Sequence, residues 1–146
     1  MKELYNRSLR EKNPNIKGKL FEDFVEHFFA SVEGFEVHSK RLKTLGTDID
    51  LLIINKKEDP LFRDLGPIIV VQAKNYKKNI SPNIIVSIES LQTNLYGHLC
   101  KTIFLAVTSR LTRNARIKLR EINSAGKKLI IPIEKDDWNR FFIEDI

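Results

Sequence analysis

Apolar residues recur along this chain in two rhythms, and the changes from one to the other mark out its elements. Leu20, Phe21, Phe24, Val25, Phe28, Phe29 and Val32 fall at helical spacing and predict an amphipathic helix over about Ile16 to Ser31, ended by Gly34. Phe35 to Arg41 has room for a short strand. Thr47 to Asn55, built around Asp-Ile-Asp-Leu-Leu-Ile-Ile, reads as a second strand and Pro67 to Lys74 as a third. The charged stretch Lys56 to Gly66, which contains Pro60, reads as the loop that joins these two strands into a hairpin.

Ser81-Pro82 has the chemistry of a helix opening, and Ile84, Ile88, Leu91 and Leu95 carry that helix to a stop at Gly97. Thr102 to Thr108 predicts a fourth strand. Leu111, Ala115, Leu119 and Ile122 form the stripe of a helix over Thr112 to Asn123 with Gly126 as its stop, and Lys128 to Ile133 a fifth strand. Asp136 to Phe142 fits a short terminal helix. The order α-β-β-β-α-β-α-β predicts an α/β fold with a central sheet flanked by helices. One domain over residues 1–146 is expected, with a core of about 16–142 behind an N-terminal arm, 1–15.

Composition narrows the class. With 146 residues, 42% of them hydrophobic, the chain is too apolar for intrinsic disorder. Its lone Cys100 allows no internal disulfide, which suits a reducing cytoplasm, and Cys100 reads as a small buried residue. No apolar run approaches the roughly 20 residues of a membrane helix, and the start is no signal peptide. Against 19 acidic residues stand 25 Lys and Arg, and the resulting net charge of +6 points to an anionic partner.

Strand alternation sets Asp48 and Asp50 on one face of the second strand and Gln72 and Lys74 on one face of the third. Glu22 borders the apolar stripe of the first helix. Two carboxylates, an amide oxygen and a lysine can therefore converge at one sheet edge, and oxygen donors of this kind suit Mg²⁺, with Mn²⁺ as substitute. Asp48 reads as a neighbour rather than a ligand. His27, His38 and His98 lack metal-ligand spacing and read as structural or solvated.

Glu22 in Gly-Lys-Leu-Phe-Glu-Asp-Phe-Val, Asp50 in Gly-Thr-Asp-Ile-Asp-Leu-Leu and Gln72-Ala-Lys74 in Val-Val-Gln-Ala-Lys-Asn-Tyr resemble the PD-(D/E)xK, or restriction-endonuclease-like, superfamily. Within it the chain is similar to the Mrr-type catalytic domain, which carries Gln in place of the second acid. Ala106 to Ala115 looks like the strand-to-helix segment after that family's catalytic lysine, and the likeness spans about Lys17 to Phe142. The resemblance implies a restriction-endonuclease-like core with a mixed sheet, and hydrolysis of DNA phosphodiesters by a metal-activated water. Asp50 and Gln72 would ligate the metal, Glu22 would reach it through water, and Lys74 would orient or deprotonate the attacking water. It further implies double-stranded DNA as partner, with a homodimer or a separate recognition subunit. The length leaves no room for the recognition domain usual in Mrr-type proteins, so modified-base restriction is not expected. The Lys56 to Gly66 loop also lengthens the hairpin beyond the family's common form.

Charge placement adds its own argument. Ser90 to Arg120 holds six basic residues, Arg116 among the expected DNA contacts, and no acidic one, and Arg110, Thr112 and Arg113 lie at or near a helix start, where free N–H groups favour phosphate. Lys40, Arg41, Lys43, Lys77 and Lys78 flank the proposed site from the other side. Two rival readings remain: a structure-specific nuclease resembling Holliday junction resolvases, and a catalytically silent DNA-binding or assembly module on the same fold.

Overall fold

The computed structural model describes residues 1–44, 47–95, 100–125 and 128–144, and its centre is one five-stranded sheet. The strands are β1 (Phe35–Thr44), β2 (Thr47–Asn55), β3 (Ile68–Lys74), β4 (Cys100–Val107) and β5 (Leu129–Ile133), side by side in that order. β1, β2 and β3 pair antiparallel, whereas β3, β4 and β5 pair parallel, so the sheet is mixed. The parallel half is joined by α4 (Pro82–Leu95) and α5 (Arg113–Ser124), as parallel neighbours require crossover helices. The expected stops Gly97 and Gly126, and His98, lie outside the described residues. Among the described residues no helix is long and apolar enough to cross a membrane.

Each sheet face buries a different core. On one side the aliphatic stripes of α4 (Ile85, Ile88, Leu91) and α5 (Ala115, Leu119, Ile122) pack on Leu52, Val70, Ile103 and Leu105. The other side is aromatic: α2 (Pro14–Ala30) lays Phe21, Phe24 and Phe29 against Ile53, Ile69 and Val71, joined by Trp138 and Phe142 of α6 (Lys135–Glu144). The Trp138 indole N–H donates to the Val107 carbonyl at 2.8 Å and fixes α6 to the end of β4. Asn13 caps α2, accepting from the backbone of Asn15 and Ile16.

Two segments differ from their expectation. The stretch read as an N-terminal arm carries α1 (Lys2–Arg10), whose Tyr5 is 2% exposed and packs in tilted ring contacts with Phe24, Phe142 and Trp138 at 5.0–6.3 Å. Too few apolar residues in Lys2–Arg10 announce this helix; tertiary packing of Tyr5 holds it. Within the Lys56 to Gly66 loop lies a single helical turn, α3 (Pro60–Arg63), capped by Asp59.

Candidate active site

The site begins where two strands part. β3 stays in register with β4 as far as Lys74, while its ladder with β2 runs only from Ile54–Ile68 to Leu51–Val71. Beyond that point side chains take over from backbone pairing. The Gln72 amide, 6% exposed, accepts from the Asp50 N–H at 3.0 Å and donates to the Asp48 carbonyl at 3.0 Å, bonding β2 where the ladder has stopped. The Ala73 N–H donates to Asp50 Oδ2 at 2.8 Å and fixes that carboxylate.

Alternation also fails here. Ile49 joins the α4–α5 core and Leu51 the α2 core, although residues two apart on a regular strand share a face. Asp50, between them, is set toward α2 and Glu22. The two carboxylates line a cleft of about 1000 Å³ together with Ala73 and Lys74. Burial first, then the charge of Asp50, pushes the Glu22 carboxyl above its ordinary pKa. Burial also raises Asp50, opposed by the Ala73 N–H and the Lys74 charge.

Much of the remaining charge on the lining is basic. Arg10, Lys12, Lys17, Lys77 and Lys78 join Lys74 against the carboxylates of Glu11, Glu22 and Asp50. Sequence reasoning missed the first three. α1 supplies Arg10, and Lys12 follows on its connection to α2; both lie in the stretch read as an arm. One signal for this wall was available: a glycine inside a helix costs about 1 kcal/mol relative to Ala. Gly18 stands one turn before Glu22, and beyond its own helix backbone and chain neighbours nothing lies within 4 Å of where its Cβ would be, because it borders the cleft. Asn75 was also missed. Its Nδ2 donates to the carbonyls of Ser8 and Lys17 at 3.1 and 3.2 Å, and its Oδ1 accepts from the Thr108 hydroxyl at 2.8 Å.

The expected residues thus fall into separate groups. Glu22, Asp50 and Lys74 meet in the cleft, with Lys77 and Lys78 on its rim. Gln72, expected among the metal ligands, does not line the cleft: its amide is turned to the β2 backbone. Asp48 is exposed and contributes its carbonyl alone to this network. Several residues expected to hold phosphate are tied to acids instead. Lys40 pairs with Glu26 at 3.3 Å, and Arg41 with Glu22 at 3.3 Å and Asp23 at 3.1 Å. Arg110 grips Asp136 through two bonds of 2.9 Å, and Arg116 holds both oxygens of Glu134 at 2.6 and 3.0 Å. Thr112 caps α5 by accepting from the Ala115 N–H. Arg113 is exposed, and the side chain of Lys43 lies outside the described residues.

Among the described residues no cluster of three His, Cys, Asp or Glu side chains could cage a metal. Glu22 and Asp50 nonetheless fit Mg²⁺ or Mn²⁺, since Mg²⁺ is usually held by one or two carboxylates and completes its shell with water and phosphate. Their raised pKa values mark two partly buried acids whose negative charge a cation would relieve.

A mixed five-stranded sheet with its candidate site at the splayed hairpin end defines an α/β fold of the restriction-endonuclease kind. The restriction endonuclease model of the Mrr catalytic domain matches residues 14–138, and the chain belongs to that family. The MspJI restriction endonuclease, solved with a 27-mer oligonucleotide, is similar in fold, with TM-score 0.54 and 12% identity over 93% of this chain and 29% of that one. A repair endonuclease from Pyrococcus abyssi aligns with TM-score 0.48 and 15% identity over 86% of this chain. The chain spans 48% of that molecule and 29% of MspJI. No curated protein sequence matches it.

Proposed function

We propose that the chain is a Mg²⁺-dependent DNA endonuclease that hydrolyses phosphodiester bonds with water as the nucleophile. The observation carrying this reading is the convergence of Glu22, Asp50 and Lys74 in a cleft whose remaining wall is rich in lysine and arginine. Membership of a restriction endonuclease family supports it, and the oligonucleotide bound to MspJI favours DNA as the ligand.

Glu22 and Asp50 would hold the cation. When bound, Mg²⁺ supplies Lewis acidity toward the phosphodiester and its attacking water. Ala73 and Gln72 keep Asp50 in place from the backbone side, so its carboxylate is spared reorganisation during the reaction. Lys74 brings an ammonium beside Asp50, where it can hold the attacking water and counter charge growing on the phosphate. Lys77, Lys78 and Lys17 carry the flanking phosphates.

Nicking of supercoiled plasmid tests the reading. The purified chain should nick with Mg²⁺ or Mn²⁺ and stop with EDTA, and Asp50→Ala should be inactive while keeping its melting temperature within a few degrees. Undiminished nicking by a folded Asp50→Ala would remove Asp50 from the reaction. No nicking by the parent under any divalent ion would favour the silent DNA-binding module.

A further inference from the structure

We propose that Leu9 and Tyr76 form an apolar clamp for one unpaired nucleotide, so that the preferred substrate is duplex DNA with a base out of its stack beside the cleaved bond. The inference rests on the reading of the cleft as a DNA site and names the DNA it takes.

Tyr76 is 45% exposed, the one exposed Phe, Tyr or Trp ring among the residues whose side chains are described. The aromatic residues of the α2 face sit in ring-to-ring contacts, whereas Tyr76 makes none and has no hydrogen bond among the described residues. Its position is equally particular. Tyr76 lines the main cleft beside Lys74 and also a second cavity of about 240 Å³, which is lined by Ser109, Arg110 and Lys135 as well. Leu9, at the end of α1 and 41% exposed, lines the same two cavities. Two large apolar side chains from distant parts of the chain thus stand at one junction, flanked by Lys17 and Lys77.

The cations account for phosphate but not for the ring. An intact duplex covers its base faces by stacking and offers a protein only base edges and backbone. A tyrosine ring amid phosphate-binding cations therefore finds a matching surface where a base has left the stack. The larger cavity lets the backbone pass over Glu22 and Asp50, and the smaller one receives the displaced base. Leu9 comes from a helix outside the family match of residues 14–138, whereas Tyr76 lies within it.

The full chain in EDTA, which prevents cleavage, is titrated by anisotropy with an intact duplex and with the same duplex carrying a one-nucleotide bulge. Tyr76→Ala should weaken binding of the bulged duplex by about tenfold, as loss of one base–aromatic stack predicts, and leave the intact duplex nearly unaffected. Leu9→Ala should shift affinity in the same direction, and Tyr76→Phe should restore it. With 5-iodouracil at the bulge, ultraviolet light should cross-link the parent protein at Tyr76. Equal loss on both duplexes, or a cross-link elsewhere, overturns the clamp while leaving the nuclease reading intact. A parent that binds neither duplex overturns both. A parent that shows the bulge effect and the cross-link but never nicks plasmid keeps the clamp and loses the nuclease.

Discussion

Two basic regions that look alike in sequence are bound to very different things. At the cleft, Lys77 and Lys78 line open space and form no ion pair with any described carboxylate. Around the start of α5, Arg110 and Arg116 are each held by two bonds to an acid of the β5–α6 corner. Glu134 also accepts the Leu111 N–H at 2.7 Å and is 9% exposed, so its pair with Arg116 joins α5 to that corner. Charge density therefore does not by itself mark a phosphate surface. A cation already held by two bonds to an acid gives up an interaction to bind DNA, while a solvated one gives up condensed ions only.

Four measurements bear on this contrast. The largest effect is expected at Lys74, where substitution by Ala should slow plasmid nicking at least about 100-fold with the fold unchanged by circular dichroism. Next, Lys77→Ala with Lys78→Ala should lower the log-log salt slope of duplex binding by about 1.8, two phosphate contacts' worth. Arg110→Ala with Arg116→Ala should leave that slope nearly unchanged; if the two pairs exchange behaviour, DNA lies over α5 and the comparison is reversed.

Third, Arg116→Ala should cost about 1–2 kcal/mol in urea unfolding, because Glu134 would be left buried without its partner while water already screens the exposed side of the pair. The pair has side-chain exposures of 43% for Arg116 and 11% for Glu134. The smallest effect concerns Asp136, whose pKa Arg110 holds below the ordinary carboxylate value. That pair forms above the ordinary pKa and is lost only as pH falls through the lowered one, so it persists throughout pH 6–8. Asp136→Asn should release Arg110 and tighten duplex binding by about twofold at pH 7. Unchanged affinity would mean that the freed arginine does not reach the DNA.

Much of this was legible because burial writes itself into periodicity. β2 was readable to its ends at Thr47 and Asn55, and most of the stripes of α2, α4 and α5 matched an observed core face, although Leu20 and Val32 are outside it and the side chain of Leu95 lies outside the described residues. What escaped was settled by partners distant in sequence. Tyr5 marks α1 only once Phe24 and Trp138 surround it. Gln72 follows its strand's alternation, but the end of the β2–β3 ladder turns its amide to the backbone of Asp48 and Asp50. Arg116 looked free because no acid occurs between Ser90 and Arg120; its partner Glu134 comes 18 residues later.

Asn75 has a consequence for the order in which this molecule loosens. Its single amide group touches the end of α1 through Ser8, the first turn of α2 through Lys17 and the end of β4 through Thr108. Amide hydrogen exchange reports segments that open cooperatively, and segments that share one fastening open together. α1, the first turn of α2 and the segment after β3 should therefore exchange at one common rate. That rate should be faster than in the parallel strands β3 and β4, which lie inside the sheet between two cores. The wall of the cleft would swing as one flap, hinged where a single side chain lets go.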